Sequence, residues 1–453
     1  MVLSWFEEIY KQEDGVEILS IGFNFTTKNI MYNNMLGCYR VMNDEGIILC
    51  IDGTWRLVIN GWPLLIIGTD FMNTENEHSH SFAPFGFCFC RAETEKANIE
   101  LISSIIAAFK KFILEDIEAN FNVIGGILDH SNAIRNALLH CFPHIVIMSC
   151  WAHVLRNARI ISGKRYDVRD DKNVIIGKEP YVTGGTATFD DLLHPIIVRI
   201  HLAANDFQFE NLVAAFKRKF YPICPAFVDH FIAVNCSKEW RNWYQGASPI
   251  NCLGSTANPL ERYNGWIKSI LDLASTITNF LNVGIVNLLK ESNLKSDGII
   301  WRSRTSYFSG GIQDFKCRLN AQILSASDDL LCAGSKGNIA QVNLLTYMRS
   351  SHHLVTECTH FNAISEQTIK QFTKFSNSIV VGSKISFEKL DVILGVHVVT
   401  ECTDTGLLTC SCKHFRVFGR CSHCAAKYHM QKKLDVFSLI SVLVPKKSIY
   451  LFF

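Results

Sequence analysis

"GIILCID", residues 46–52, is the stretch on which the reading of this chain turns. It is a continuous apolar run ending in an acid, which suits a strand covered on both faces. Downstream, "RLVIN" (56–60), "PLLIIGTDF" (63–71) and "FGFCFCRAE" (85–93) have strand composition and are separated by Asn-Gly and by the polar "NTENEHSHS". Those separators predict hairpins. The period then changes, and apolar residues recur at helical spacing from Ile99 to Ile113, with Lys110 and Lys111 off the stripe. "FNVIGGILD" (121–129) reads as a second buried strand that ends in an acid. A helix, "SNAIRNALLHCF" (131–142), and a third apolar strand, "HIVIM" (144–148), follow. Three hairpin-linked strands, then helix, strand, helix, strand, predict an α/β fold with a mixed sheet flanked by helices. Asp52 and Asp129 both fall at carboxyl ends of buried strands, where open α/β sheets place their sites.

The bulk properties bound what surrounds that sheet. At 453 residues the chain exceeds one ordinary core, so two or more domains are expected. A net charge of +2 excludes a uniformly basic coat, and nucleic-acid contact would have to come from local patches. "MVLSWFEEIYKQ" lacks the basic start and apolar run of a secretory signal, and Pro445, Lys446 and Lys447 break the most apolar C-terminal stretch. A soluble intracellular protein is expected, without membrane contact. Its 17 Cys then argue against a disulfide framework. Scattered ones such as Cys50, Cys88 and Cys90 read as small buried hydrophobes.

From about residue 154 to 256 the strand signal fades. "ISGKRYDVRDDKNVIIGKEP" reads as a polar loop, with Arg156, Arg159, Lys164 and Arg165 as candidate phosphate contacts. "FDDLLHPIIVRIHLAANDF" and "FENLVAAFKRKF" read as helices, and Pro259 opens another at "STANPLERYNGWIKSIL". "HLVTECT" at His353 nearly recurs as "HVVTECT" at His397, too short to define a repeat.

One cluster near the C-terminus stands apart. Cys410-x-Cys412 and Cys421-x-His423 are two close pairs, and zinc takes four N/S ligands in a tetrahedron that such pairs supply at little loop-closure cost. Cys424, beside His423, and His414, beside Lys413, could each replace one of these. Gly406 to Leu434 holds no acid, so the module could contact phosphate or present a solvated basic face to a protein partner. With "KHF" and "GRCSHCAA" in their places, it resembles the SWIM-type zinc finger, although Arg420 stands where that family often has Pro.

Taken singly, the acids upstream have ordinary accounts. Asp52-Gly53 is a common turn, Asp129 precedes a helix, and Glu261 completes a capping box with Asn258. Converging at one sheet edge, three carboxylates would repel unless divalent cations neutralised them, the arrangement of two-metal phosphoryl chemistry. "IDGTW" (51–55), "LDHSNAIRNALLHCFPHIVIMSCWAHVLRN" (128–157) and "TANPLERYN" (256–264) together resemble the catalytic blocks of the Mutator-like (MULE) transposases. That resemblance implies a ribonuclease-H-like DDE core, with Asp52, Asp129 and Glu261 as catalytic residues binding Mg²⁺ or Mn²⁺. It also implies an accessory role for Cys150 and His153, DNA element ends and target as partners, a homo-oligomer and a nuclear location. Zn²⁺ would be structural in the finger, which could also bind protein partners.

The expected organisation is an N-terminal segment (1–45), the first part of the core (46–155), a helical insertion (156–255) and the final core helix (256–300). A connecting region (301–385), the small α+β zinc module (386–435) and a tail (436–453) follow. Many relatives begin with a DNA-binding zinc module, for which the first 45 residues leave no room. A transposase-derived binding factor and a remnant of a mobile element are the alternatives to an active enzyme.

Overall fold

The computed structural model describes residues 2–12, 15–73, 79–113, 121–171, 173–203, 205–250, 258–271 and 275–302. Beyond these it describes 342–343, 352–356, 396–401, 408–410, 412–418, 421, 424 and 428. The chain divides into two compact units. One comprises Met1–Asn157, Val234–Trp243 and Ser248–Ser303; the other comprises Ala158–Ala233, Tyr244–Ala247 and Arg304–Phe453.

The first unit is built on a seven-stranded mixed sheet in the order β1-β2-β5-β4-β3-β6-β7. Its strands are β1 (Val2–Gln12), β2 (Gly15–Thr26), β3 (Ile47–Thr54), β4 (Leu64–Asn73), β5 (Ser79–Cys90), β6 (Val123–Leu128) and β7 (Val146–Ser149). β3, β4 and β5 form antiparallel hairpins, whereas β6 and β7 run parallel to β3. "RLVIN" is not a strand: within it only Val58 makes an isolated bridge, to Ser275. Asn60-Gly61 therefore turns a loop between β3 and β4 rather than a hairpin of its own. The N-terminal segment, read from sequence without structure, supplies the β1–β2 hairpin, which joins the sheet through β2 and β5. Phe25 stacks on Phe87 at that seam, with ring centroids 5.5 Å apart.

Strand alternation sorts the core into two faces. Ile47, Leu49 and Ile51 of β3 face one apolar cluster, with helices α1 (28–42), α2 (Glu95–Ile113) and α3 (Asn132–Cys141). Leu101, Ile102, Ile105 and Phe109 are its buried α2 stripe. Ile48 and Cys50 face the other cluster, with α8 (Asn258–Ile270) and α9 (277–297) contributing Leu260, Tyr263, Ile267, Leu288 and Leu289. Helix α4 (Trp151–Ser162) follows β7 directly. Burial pushes the Cys50 and Cys88 thiols well up, as expected of small core hydrophobes.

In the second unit the polar stretch 161–180 is a hairpin, β8 (Arg165–Arg169) with β9 (Ile175–Pro180), not a loop. The mixed charges that suggested a loop are cross-strand partners: the Tyr166 hydroxyl bonds Glu179, and Lys178 lies 3.5 Å from Asp167. Asn173, at positive φ, makes the turn, and the Asp170 carboxylate accepts from the Val174 N–H. Helices α5 (185–201), α6 (Asp206–Phe220) and α7 (Pro225–Asn235) bury Phe189, Phe216, Phe227 and Phe231.

A separate four-stranded antiparallel sheet joins β10 (Val342–Asn343), β11 (His352–Thr356), β12 (Val396–Glu401) and β13 (Leu408–Cys410), followed by α10 (Lys413–Phe418). The two near-identical heptads contribute β11 and β12, which pair with each other, Leu354 opposite Val398. The sheet thus reaches back into the stretch that the sequence left as a connector. Among the described residues no helix is long and apolar enough to cross a membrane.

Candidate functional site

Strand register brings the two predicted aspartates, but not Glu261, into one row. Cys50 of β3 pairs with Ile127 of β6, and Leu128 of β6 pairs with Ser149 of β7. Continuing those parallel registers sets Asp52 opposite Asp129, and Asp129 opposite Cys150. The Cys150 N–H donates to the Leu128 carbonyl at 2.8 Å, so the ladder does continue. Asp52 shares the parity of Ile48 and Cys50, Asp129 that of Ile127, and Cys150 that of Met148, all on the face covered by α8.

Asp52 is held from two sides. Its Oδ1 accepts from the Gly53 N–H at 2.8 Å, and its Oδ2 accepts from Asn264 Nδ2 at 2.8 Å. Burial, then the Asp129 carboxylate, push Asp52 from the usual carboxylate range up to about 7; the Gly53 N–H opposes this, and Glu93 and Glu261 add smaller upward pushes. Asp129 accepts from the Ser131 N–H at 3.1 Å. Ser131 caps α3 by accepting from the Ile134 N–H, and its hydroxyl donates to Glu93 Oε1 at 2.7 Å.

Glu93 is the acid that sequence reasoning missed. It closes the segment "FGFCFCRAE", and β5 runs in the direction of β3, so it reaches the same sheet edge. Burial and the Asp129 charge raise its carboxyl, against the Ser131 bond. Its signal was available: it is a third acid within three residues of the end of an apolar strand. Gly53 makes room for it, because a Cβ there would lie 2.8 Å from Glu93 Oε2.

Glu261, in the first turn of α8, has its closest partners elsewhere. Its Oε2 accepts from Arg156 at 3.2 Å and its Oε1 lies 3.5 Å from His153 Nδ1. Cys150 Sγ, His153 and Glu261 ligand atoms lie within 4.8 Å of one another. Glu261 reaches Asp52 through its own helix, one turn on, by way of Asn264. Two of the basic residues read as phosphate contacts are already engaged by acids: Arg156 by Glu261, and Arg159 by both oxygens of Asp190 at 2.8–3.2 Å.

In the small C-terminal sheet, Cys410, Cys412 and Cys421 form a buried cluster that can hold a metal ion, their sulfurs within 4.8 Å of one another. Backbone N–H groups of Cys412, Phe415 and Cys424 point at the sulfurs of Cys410, Cys412 and Cys421, each at 3.4 Å. Burial, then hydrogen bonding with neighbouring thiols, push Cys421 well up, and Cys424 is raised first by burial too. A bound cation inverts that preference by favouring thiolates. Cys424 is buried, with its sulfur 3.9 Å from the Leu408 carbonyl oxygen. His423 lies outside the described residues, as does the side chain of His414. The chain matches no protein-family model and no curated protein, and the site stands on its own residues.

Proposed function

We propose that this chain is a metal-dependent enzyme that cleaves and joins DNA phosphodiesters, a DDE transposase of the Mutator-like class. The proposed core is ribonuclease-H-like and the appended module is a SWIM-type zinc finger. The observation that carries the reading is the register: Asp52 and Asp129 stand opposite each other on parallel strand ends, on the face where α8 delivers Glu261. The antiparallel β5-β4-β3 set flanked by parallel β6 and β7 supports it as well.

Two carboxylates facing each other in a half-buried niche fit a hard divalent cation such as Mg²⁺ or Mn²⁺. Bound there, the cation would activate an attacking oxygen and stabilise a leaving one. The chain's own part is positioning. Gly53 and Asn264 fix the two Asp52 oxygens, Ser131 fixes Asp129 against Glu93, and Arg156 steadies Glu261. The Cys410, Cys412 and Cys421 cluster fits Zn²⁺ by donor softness, with His423 or Cys424 as the fourth ligand. DNA ends and target, self-association and a nuclear location go with this reading.

The pairing of Glu261 with Arg156 and His153 favours a second reading, a transposase-derived DNA- or protein-binding factor without strand cleavage. An excision assay separates them, using genomic DNA flanking the gene and comparing wild type with Asp129→Asn. Divalent-dependent excision by wild type alone is expected. No excision by either, with sequence-preferring DNA binding retained by both, would replace the enzyme with the binding factor.

A further inference from the structure

The geometry points to a second soft-metal site, formed by Cys150, His153 and Glu261 and suited to Zn²⁺. The three ligand atoms lie within 4.8 Å of one another. His153 Nδ1 and Glu261 Oε1 are both shielded from solvent and make no hydrogen bond, although they stand 3.5 Å apart. That separation is long for a hydrogen bond. It is the spacing of two ligands on one ion: zinc bonds of 2.0–2.3 Å at tetrahedral angles put donors about 3.3–3.8 Å apart. A cation between them would satisfy both orphaned atoms at once.

The local fold prepares the donors. Cys150 is fully buried at the end of β7, and its carbonyl accepts from the His153 and Val154 N–H groups, which starts α4 and stacks the imidazole beside the thiol. Glu261 comes from α8, and Arg156, one turn past His153, bonds its other oxygen and fixes the carboxylate. Thiolate, imidazole and carboxylate select a borderline cation over magnesium, which takes oxygen donors. Three protein donors leave the fourth tetrahedral position to water or a substrate oxygen. The ion would tie α8 to the β7–α4 junction, so Glu261 would belong first to this site and Glu93 would stand beside Asp52 and Asp129. The inference rests on these distances and not on the strand-transfer reading.

The test is metal content of the folded full-length chain by elemental analysis, with cobalt(II) substitution to report thiolate bonding by its near-ultraviolet charge-transfer band. Cys150→Ala and His153→Gln should each bind one metal equivalent per chain fewer than wild type, and Cys150→Ala should lose part of the charge-transfer intensity. His153 is half-buried, so His153→Gln keeps the test open if Cys150→Ala does not fold. Asp129→Asn should keep the full zinc content whatever it does to excision or to magnesium binding, which separates failure of this site from failure of the enzyme reading. Unchanged stoichiometry in both folded variants would overturn the proposal.

Discussion

Replacing Asp52 with Asn should stabilise the metal-free protein above neutral pH, and the size of the effect follows from the site. Asp52 is held near 7 against an ordinary 3.8, first by burial and then by Asp129. The folded state therefore binds a proton that the unfolded chain has already released, and stability falls as pH rises from about 4 through about 7. A gap of about 3 units corresponds to about 4 kcal/mol at full ionisation, of which roughly 2–3 kcal/mol accrues between pH 5 and 8. Asn carries no such cost. Its Oδ1 can keep the Gly53 N–H, and Asn264 can turn its amide so that Oδ1, buried without a partner, accepts from the new NH₂. Thermal unfolding in a chelator should show wild type losing ground from pH 5 to pH 8 while Asp52→Asn changes less. At roughly 2–4 °C per kcal/mol for a unit of this size, the full cost of about 4 kcal/mol at pH 8 should make the variant melt about 8–16 °C higher there. Added Mg²⁺ should close that gap by stabilising wild type alone. Parallel pH profiles, or equal stabilisation of both by Mg²⁺, would refute the reasoning.

Glu93→Gln should lower the pKa of Asp52, since it removes one upward push, and the pH at which wild type loses stability should fall with it; an unmoved profile would detach Glu93 from the site. Gly68→Ala should destabilise by roughly 3 kcal/mol or more in urea unfolding, because its Cβ would overlap the Ala83 carbonyl oxygen and the Phe82 ring at the β4–β5 bulge. A loss under about 1 kcal/mol would mean that the bulge yields freely. Cys421→Ser, or a chelator, should strip the C-terminal cluster of metal and raise amide exchange at Leu408–Cys410 at least about tenfold, as that strand would lose its anchor. Equal exchange with and without metal would show that β13 is held by other contacts.

Much of the first unit was legible from residue patterns. Buried strands announce themselves as apolar runs, and β3, β6 and β7 all read correctly for that reason. The β8–β9 hairpin did not, because its stabilising features are cross-strand charge pairs that look like solvated loop residues until the partner strand is known. The N-terminal hairpin escaped because polar residues such as Glu7, Glu8, Lys11 and Glu17 interrupt its apolar runs, although the alternation over Ile21, Phe23 and Phe25 was there to see. At the site, Asp52 and Asp129 stood out by strand-end position. The Glu261 environment could not be foreseen, since the choice of partner depends on how α8 approaches α4, and no local spacing encodes that. The self-pairing of the two heptads was equally hidden: a short repeat tells nothing of register.

The two faces of the seven-stranded sheet are completed at different times during synthesis. Every strand has left the ribosome's decoding centre once Ser149 is added, and the helices of one face, α1 to α3, are made by Cys141. The opposite face must wait for Leu260 and the residues beyond it, about 110 residues later, or roughly 5–20 s at ordinary elongation rates. Through that interval Ile48, Ile66, Phe87 and Phe89 present a broad apolar surface on a nascent chain whose helical insertion is still being made. The insertion therefore acts as a clock: its length sets how long the second face of the sheet stays uncovered.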